Sequence, residues 1–366
     1  MRLAKFLLAL TLALGCAYSS AHAAELPFPV DKDSTYNPGT PQWRGQAGLT
    51  FVQIGASARA EGMGGAFSAV KGDPSAVFYN PAGMAAIEGI GVYVGRVNWF
   101  ADMTVNHLAV AANAGMFTLG LSYVDMDYGE IPGTVIDDSF PVGYAKTGNI
   151  APQAWALGTF VAVQFTDRFA AGVHPKYIVQ DFGANSVAHF ALRDGVQMVE
   201  YLHYASDNRV GTFAIDLGTQ YDTGLRGVTV NMSLANFAQS QRYVEQEFDL
   251  PLTYRVGLAA EMIRVLSGFD DPSSKAMLYI DGVDRRDVPL DAAIGVEYSA
   301  DLSDLADGLL VALRAGRRAA RNQDGWLSVG GGLTLPWSGR TLTVDYSYND
   351  YGPDLTATRF GFSLKL

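Results

Sequence analysis

The strongest constraint on this chain is a period-two alternation that recurs from about residue 89 to the end. In RTLTVDYSYND (340–350), Leu342, Val344, Tyr346 and Tyr348 alternate with Thr343, Asp345, Ser347 and Asn349. In ATRFGFSLKL (357–366), Thr358, Phe360, Phe362, Leu364 and Leu366 alternate with Arg359, Gly361, Ser363 and Lys365. Successive side chains on a β-strand point to opposite faces, so each stretch reads as a strand with one apolar and one polar face. The pattern returns in GTFAIDLGTQYD (211–222), VTVNMSLAN (228–236), LTYRVGLAAEM (252–262), LDAAIGVEYS (290–299) and LLVALRAGR (309–317). A soluble sandwich carries mostly charges on its polar face. Here that face is Gly, Ser, Thr and Asn with a few charges of both signs, and the other face is aromatic and aliphatic. The combination predicts an all-β fold, a transmembrane antiparallel β-barrel with lipid outside and a filled, polar lumen.

Strands are expected near 89–99, 104–113, 116–126, 153–166, 169–182, 212–222, 226–236, 253–265, 275–284, 289–300, 308–317, 326–335, 340–350 and 357–366. That makes about fourteen, an even number, each close to the ~9–11 residues a tilted strand needs to cross hydrocarbon. The links 114–115, 166–168, 223–225 and 336–339 are short, whereas 127–152, 183–211 and 237–252 are long. Short turns belong on the periplasmic side and long loops outside, which puts both termini in the periplasm. Trp99, Phe100, Trp155, Tyr298, Trp326, Trp337 and Tyr351 fall near strand ends, where interfacial aromatic girdles sit.

The first residues, MRLAKFLLALTLALGCAYSSAHA, join Arg2 and Lys5 to an apolar run, Phe6 to Leu14, and a small-x-small site at Ala21-His22-Ala23. Residues 1–23 read as a signal peptide and 24–43 as a mature N-terminal extension. The only cysteine, Cys16, leaves with the signal, so no disulfide is expected. No later run of 18 apolar residues provides a spanning helix. Formal net charge is −11, which argues against nucleic acid as a partner because phosphates need a basic footprint.

Residues 44–88 do not alternate. Glycines crowd Gly62, Gly64 and Gly65, and two Asx-Pro pairs follow, Asp73-Pro74 and Asn80-Pro81-Ala82-Gly83. Asx at an N-cap with proline in the first turn predicts two short helices, SAVFY and AGMAAI. Irregular backbone cannot face lipid, so this segment, which includes Arg59, is expected in the lumen as a short helical plug ahead of a barrel formed by 89–366. A dinucleotide fingerprint is excluded by the missing third glycine. A P-loop is excluded because Lys71 precedes Gly72.

Alternation aims Asp216, Glu261, Glu297 and Asp345 into the lumen, with Arg255, Arg314, Arg359 and Lys365. Four acids against four bases suggest a cross-linked interior, with Arg59, Glu61, Lys71 and Asp73 as partners on the plug. No catalytic residue is assigned: neither H-e-x-x-H nor G-x-S-x-G spacing occurs, and His107, His174, His189 and His203 are scattered. No metal centre or cofactor is expected. Asp281, Asp284 and Asp287, near an outer loop, form at most a weak Ca²⁺ site, and Asp301, Asp304 and Asp307 read as a solvated turn.

The stretch ARAEGMGGAFSAVKGDPSAVFYNPAGMA (58–85) resembles the N-terminal signature of the PorV/PorQ family, relatives of FadL-type outer-membrane transporters. AIDLGTQYDTGLRGVTVNMSLANF (214–237) and VDYSYNDYGPDLTATRFGFSLKL (344–366) resemble that family's strands and last hairpin. The chain departs at its last residue, Leu366, where an aromatic is commoner. The resemblance implies a non-enzymatic outer-membrane protein, in contact with outer-membrane lipid and the barrel-assembly machinery. It would bind secreted cargo or secretion-system proteins through loops 127–152, 183–211 and 237–252. The FadL side of the same resemblance implies the alternative, a channel for a hydrophobic ligand.

Overall fold

The computed structural model describes residues 47–366 apart from 137–140, 184, 194–195, 205–208, 226, 244–245, 269–272, 287, 321–322 and 353–354. The expected signal peptide and residues 24–43 therefore lie outside the described residues. Twenty strands follow in order: β1 Ile90–Asn98, β2 Thr104–Ala114, β3 Phe117–Asp127, β4 Ile131–Ile136, β5 Tyr144–Ile150, β6 Gln153–Gln164, β7 Phe169–Asp181, β8 Asn185–Arg193, β9 Val196–Tyr204 and β10 Arg209–Asp222. The second half holds β11 Val228–Phe237, β12 Gln241–Tyr243, β13 Gln246–Phe248, β14 Thr253–Glu261, β15 Ser274–Arg285, β16 Val288–Asp301, β17 Leu310–Ala320, β18 Gln323–Trp337, β19 Arg340–Asp350 and β20 Thr356–Lys365.

Fourteen of these close an antiparallel barrel in the order β1-β2-β3-β6-β7-β10-β11-β14-β15-β16-β17-β18-β19-β20. Closure is made by β1 against β20, from Gly91↔Lys365 to Asn98↔Thr358. The remaining strands form three two-stranded hairpins, β4-β5, β8-β9 and β12-β13. They extend the three long links at one end of the barrel. One expected strand, 253–265, is cut short: after Glu261 the chain turns into a helix, Met262–Ser267, closed by Gly268 in the left-handed region at φ 75.

Alternation is visible in burial. Along β10, Thr212, Ala214, Asp216, Gly218 and Gln220 are buried while Phe213, Ile215, Leu217 and Tyr221 are exposed. The outward face is an apolar band that includes Leu121, Leu157, Phe213, Val296, Leu333 and Phe362. That is the face expected to meet hydrocarbon, and the buried face surrounds the N-terminal segment.

Residues 47–88 run the length of the lumen. At the long-hairpin end, Ala47 bridges Asp249 and the Gly48 N–H donates to the Asp249 carbonyl at 3.0 Å. At the short-turn end, the Ile90 N–H donates to the Leu366 carbonyl at 3.1 Å. The segment therefore enters the described structure at the long-hairpin end and fills the barrel along its axis; the N-terminus itself, expected at the short-turn end, lies outside the described residues.

Four short helical turns shape this segment: Thr50–Gln53, Ala58–Glu61, Pro74–Phe78 and Pro81–Ala86. The last two start where the Asx-Pro pairs require. Asp73 accepts from the Ser75 N–H at 2.9 Å, and Asn80 accepts from the Ala82 N–H at 3.0 Å. Ser57, which carries no proline signal, caps Ala58–Glu61 by accepting from the Ala60 N–H.

Candidate functional site

The lumen is held by a chain of buried charges. Arg59 on the N-terminal segment donates to Asp73 at 2.9 Å and to both oxygens of Glu297 at 2.7 and 2.8 Å. Glu297 accepts from Arg314 Nε at 2.6 Å, and Arg314 Nη1 donates to Asp345 at 2.7 Å. Glu297 and Arg314 are direct cross-strand partners on β16 and β17. Arg314 then crosses β18 over Gly332, where a Cβ would stand 2.8 Å from Nη1, to reach Asp345 on β19. Five alternating charges thus join the segment to three strands. Desolvation is costly for each charge, and bidentate pairing offsets it.

Arg359 makes a second anchor. It donates to the Gly55 carbonyl at 3.0 Å, Asn349 Oδ1 at 2.6 Å and Tyr351 Oη at 3.0 Å, and lies 3.9 Å from Glu61. Asn349 donates back to the Glu61 carbonyl at 2.8 Å. Asp281 makes a third: it accepts from the N–H groups of Phe67 and Ser68 at 3.0 Å each, and from Ser68 Oγ at 2.7 Å. The weak Ca²⁺ site drawn from Asp281, Asp284 and Asp287 is corrected accordingly. Strand parity buries Asp281 in the lumen and exposes Asp284, and Asp287 lies outside the described residues. Among the described residues, no group of three His, Cys, Asp or Glu is placed to hold a metal.

The glycine-rich motif lies flat against the wall. Gly62 packs on Gly330, where a Cβ at either would come within about 3 Å of the other's Cα. The Met63–Gly64 peptide rests on Gly295 and Gly316, a cross-strand pair, and Gly64 adopts φ 68 against the Arg317 backbone. Gly65 sits beside Glu61, Pro74 packs over Gly91, and Pro81 and Ala82 lie on Gly172. The Gly83 carbonyl accepts from the Gly72 N–H at 2.9 Å. Asn80 Nδ2 reaches the carbonyls of Ser68 at 2.9 Å and Thr219 at 3.2 Å. Lys71 pairs only at the surface, 3.6 Å from Asp222. Four expected lumen charges stay outside the network: Asp216 pairs with His174 and Lys176 on the wall, Arg255 makes no ion pair among the described residues, and two sit near strand ends, Lys365 exposed at the barrel rim and half-buried Glu261 ending β14 beside the Gly227 turn. Lys365 and Glu261 have the inward parity, but they sit too near the strand ends to reach the segment.

Burial opposes ionisation of Asp73, and Arg59 together with the Ser75 donors overcomes it, holding the carboxyl below the usual carboxylate range. A lowered folded-state value stabilises the fold above the unfolded value of about 4 and is lost as pH falls through the lower folded value. The heat-modification midpoint on gels should therefore stay level from neutral pH down to about 5 and fall below about 4. Asp73→Asn should flatten part of that fall, and an unchanged acid response would contradict the pairing.

Above the segment, toward the long hairpins, a cavity of about 490 Å³ remains between it and the wall. Its lining includes Phe51, Val52, Ile54, Phe78, Val124 and Met126, with Lys176, Arg255, Arg285, Arg318 and Arg359 among the polar groups. The aromatic girdle expected from Trp99, Trp326 and Tyr351 is instead an inner cluster lining this cavity. Trp99 and Tyr351 rings are 5.4 Å apart, and Trp326 and Tyr351 are 5.0 Å apart. Strand parity explains the difference, because Trp99 follows buried Val97 on the inward side. Trp337 is exposed at 56%, as an interfacial residue should be.

Sequence spacing missed one relay. His174 Nδ1 lies 2.9 Å from Asp216 Oδ2, and His174 Nε2 lies 2.7 Å from Ser122 Oγ. Asp216 also accepts from Lys176 Nζ at 2.7 Å and from the Asn236 N–H at 2.7 Å. The order matches a nucleophile–base–acid series. Its setting is that of a wall stitch: Gly158 covers the Ser–His contact so closely that a Cβ there would stand 2.7 Å from Ser122 Oγ. The relay ties β3, β7, β10 and β11 together where the β10–β11 register shifts between Ile215 and Leu217. Ser122→Ala should lower the unfolding midpoint modestly, by about 1 kcal/mol equivalent. No signal short of the folded register could have found it, since its members come from four strands.

No family model matches the chain, and no curated protein matches it in sequence. Solved structures do. The toluene transporter TbuX of Ralstonia pickettii aligns at 12% identity with a TM-score of 0.52, covering 85% of this chain and 97% of that one. The toluene transporter TodX of Pseudomonas putida aligns at 12% identity with a TM-score of 0.54, covering 85% and 96%. A FadL homologue of Pseudomonas aeruginosa aligns at 13% identity with a TM-score of 0.46. The PorV/PorQ resemblance finds no support in these comparisons. What TbuX and TodX establish is the fold: a closed, fourteen-stranded antiparallel barrel with short helical turns ahead of its first strand.

Proposed function

We propose that this chain is an exported outer-membrane conduit for hydrophobic small molecules, with residues 44–88 as its plug. The observation that carries this reading is the cavity between the plug and the wall, lined by Phe51, Val52, Ile54, Phe78, Val124 and Met126. A concave space where apolar side chains meet convergent polar groups is what small-molecule sites look like. Residues 47–88 lie along the lumen and are hydrogen-bonded to its wall, which favours a selective conduit over an open porin. Passage of a solute needs no catalytic group. The fold shared with proteins described as toluene transporters supports the reading. The secretion reading has only the long hairpins in its favour.

The test is uptake. Cells lacking this protein, and cells carrying it on a plasmid, are compared for entry of radiolabelled toluene. The conduit predicts slower entry in the deletion strain, restored by the plasmid. Equal entry in both, together with solvent extracts of the purified barrel that contain no apolar compound, would sink the proposal.

A further inference from the structure

The cavity holds more positive charge than its surroundings neutralise. Five cations line it: Lys176, Arg255, Arg285, Arg318 and Arg359. Lys176 is paired with Asp216 at 2.7 Å, and Arg359 faces Glu61 at 3.9 Å. Arg285 and Arg318 share one carboxylate oxygen, Oδ2 of the fully buried Asp291, with Arg318 at 2.9 Å. Arg255 has no ion pair among the described residues. Asp281, on the neighbouring strand, spends both oxygens on Phe67 and Ser68. Three buried donors in this region, Arg255 Nη1, Arg285 Nε and Trp326 Nε1, have no acceptor, and Asp291 Oδ1 is likewise unpartnered. A buried cation without a partner is expensive, and an anion removes that cost.

Aromatic rings flank the same groups. Arg255 lies over Tyr79 at 5.7 Å, Arg318 over Trp326 at 5.2 Å and Arg359 over Trp99 at 5.6 Å. Each ring holds a guanidinium plane in place; Arg318 and Arg359 already donate to Asp291 and to Gly55, Asn349 and Tyr351, whereas Arg255 Nη1 has no acceptor. Phe51 and Phe78 add further ring surface to the lining.

We propose that the preferred occupant is a monoanionic arene, an aromatic ring bearing one carboxylate or sulfonate. The acidic group is met by Arg255 and Arg285, and the ring lies against the aromatic wall. This rests on the conduit reading and narrows it, since the similar proteins are described as transporters of toluene, a neutral arene.

The experiment titrates the purified barrel in detergent with sodium benzoate, toluene and cyclohexanecarboxylate, read by calorimetry and by tryptophan fluorescence. Benzoate is expected to bind at least tenfold more tightly than either comparison compound. Arg255→Gln and Arg285→Gln are each expected to weaken benzoate at least tenfold, in variants whose heat-modifiable gel shift shows a closed barrel. Should a variant fail to close, the wild-type ranking decides alone. Toluene binding as well as or better than benzoate overturns the anion preference and leaves the conduit standing. Cyclohexanecarboxylate matching benzoate overturns the aromatic part. Binding of none of the three overturns the inference, and the uptake experiment separately judges the conduit.

Discussion

Glu297→Ala is expected to loosen the whole N-terminal segment. Glu297 is the centre of the five-charge chain, accepting from Arg59 at 2.7 and 2.8 Å and from Arg314 at 2.6 Å. Its side chain is 7% exposed and that of Arg314 is 4% exposed, so solvent screens neither. Removing the carboxylate leaves two cations facing one another with only Asp73 and Asp345 at the flanks. Deleting one member of a buried pair costs about 3–5 kcal/mol, because the other is left uncompensated. The expected readout is a large drop in the heat-modification midpoint, with new ion conductance in planar bilayers as the segment leaves its seat. Glu297→Gln, which keeps the shape and some hydrogen bonding, should fall between the two. A midpoint within error of wild type for Glu297→Ala would mean that the chain of charges does not hold the segment.

Gly316→Val is expected to displace the same segment by sterics alone. The pair Gly295↔Gly316 forms a bare patch on which the Met63–Gly64 peptide lies. A Cβ at Gly316 would meet the Met63 carbonyl carbon and the Gly64 nitrogen, and one at Gly295 would stand 2.5 Å from the Met63 carbonyl oxygen. These are backbone atoms, which cannot rotate away as a side chain can. Overpacking a core costs about 1–3 kcal/mol when side chains can adjust, so this substitution belongs at or above the top of that range. Conductance should rise as for Glu297→Ala, although every charge is intact. Gly331→Val is the control: that position faces outward with nothing nearer than the Ala312 carbonyl at 3.7 Å, and its effect should stay within about 0.5 kcal/mol. Equal behaviour of Gly316→Val and Gly331→Val would show that the segment does not rest on that patch.

The amino-acid sequence by itself determined the strands and which way their side chains face. Parity along 290–299 puts Glu297 inside, and Asx-Pro at 73–74 and 80–81 starts helical turns, because both signals act within a few residues. The fourteen barrel strands were legible for that reason. Tertiary structure alone decided who meets whom. Arg59 and Glu297 are 238 positions apart, Ser122 and His174 are 52 apart, and no local pattern couples such residues. It also decided that Lys365 and Glu261 stay outside the network, because parity gives the face and not the height in the barrel. The direction of the N-terminal segment was likewise decided only on folding, when Ala47 met Asp249 at the long-hairpin end. The cavity belongs to the same class. Its walls come from the segment and from barrel strands as far apart in sequence as β2 and β20, so its volume and its surplus of arginine exist only once the barrel has closed.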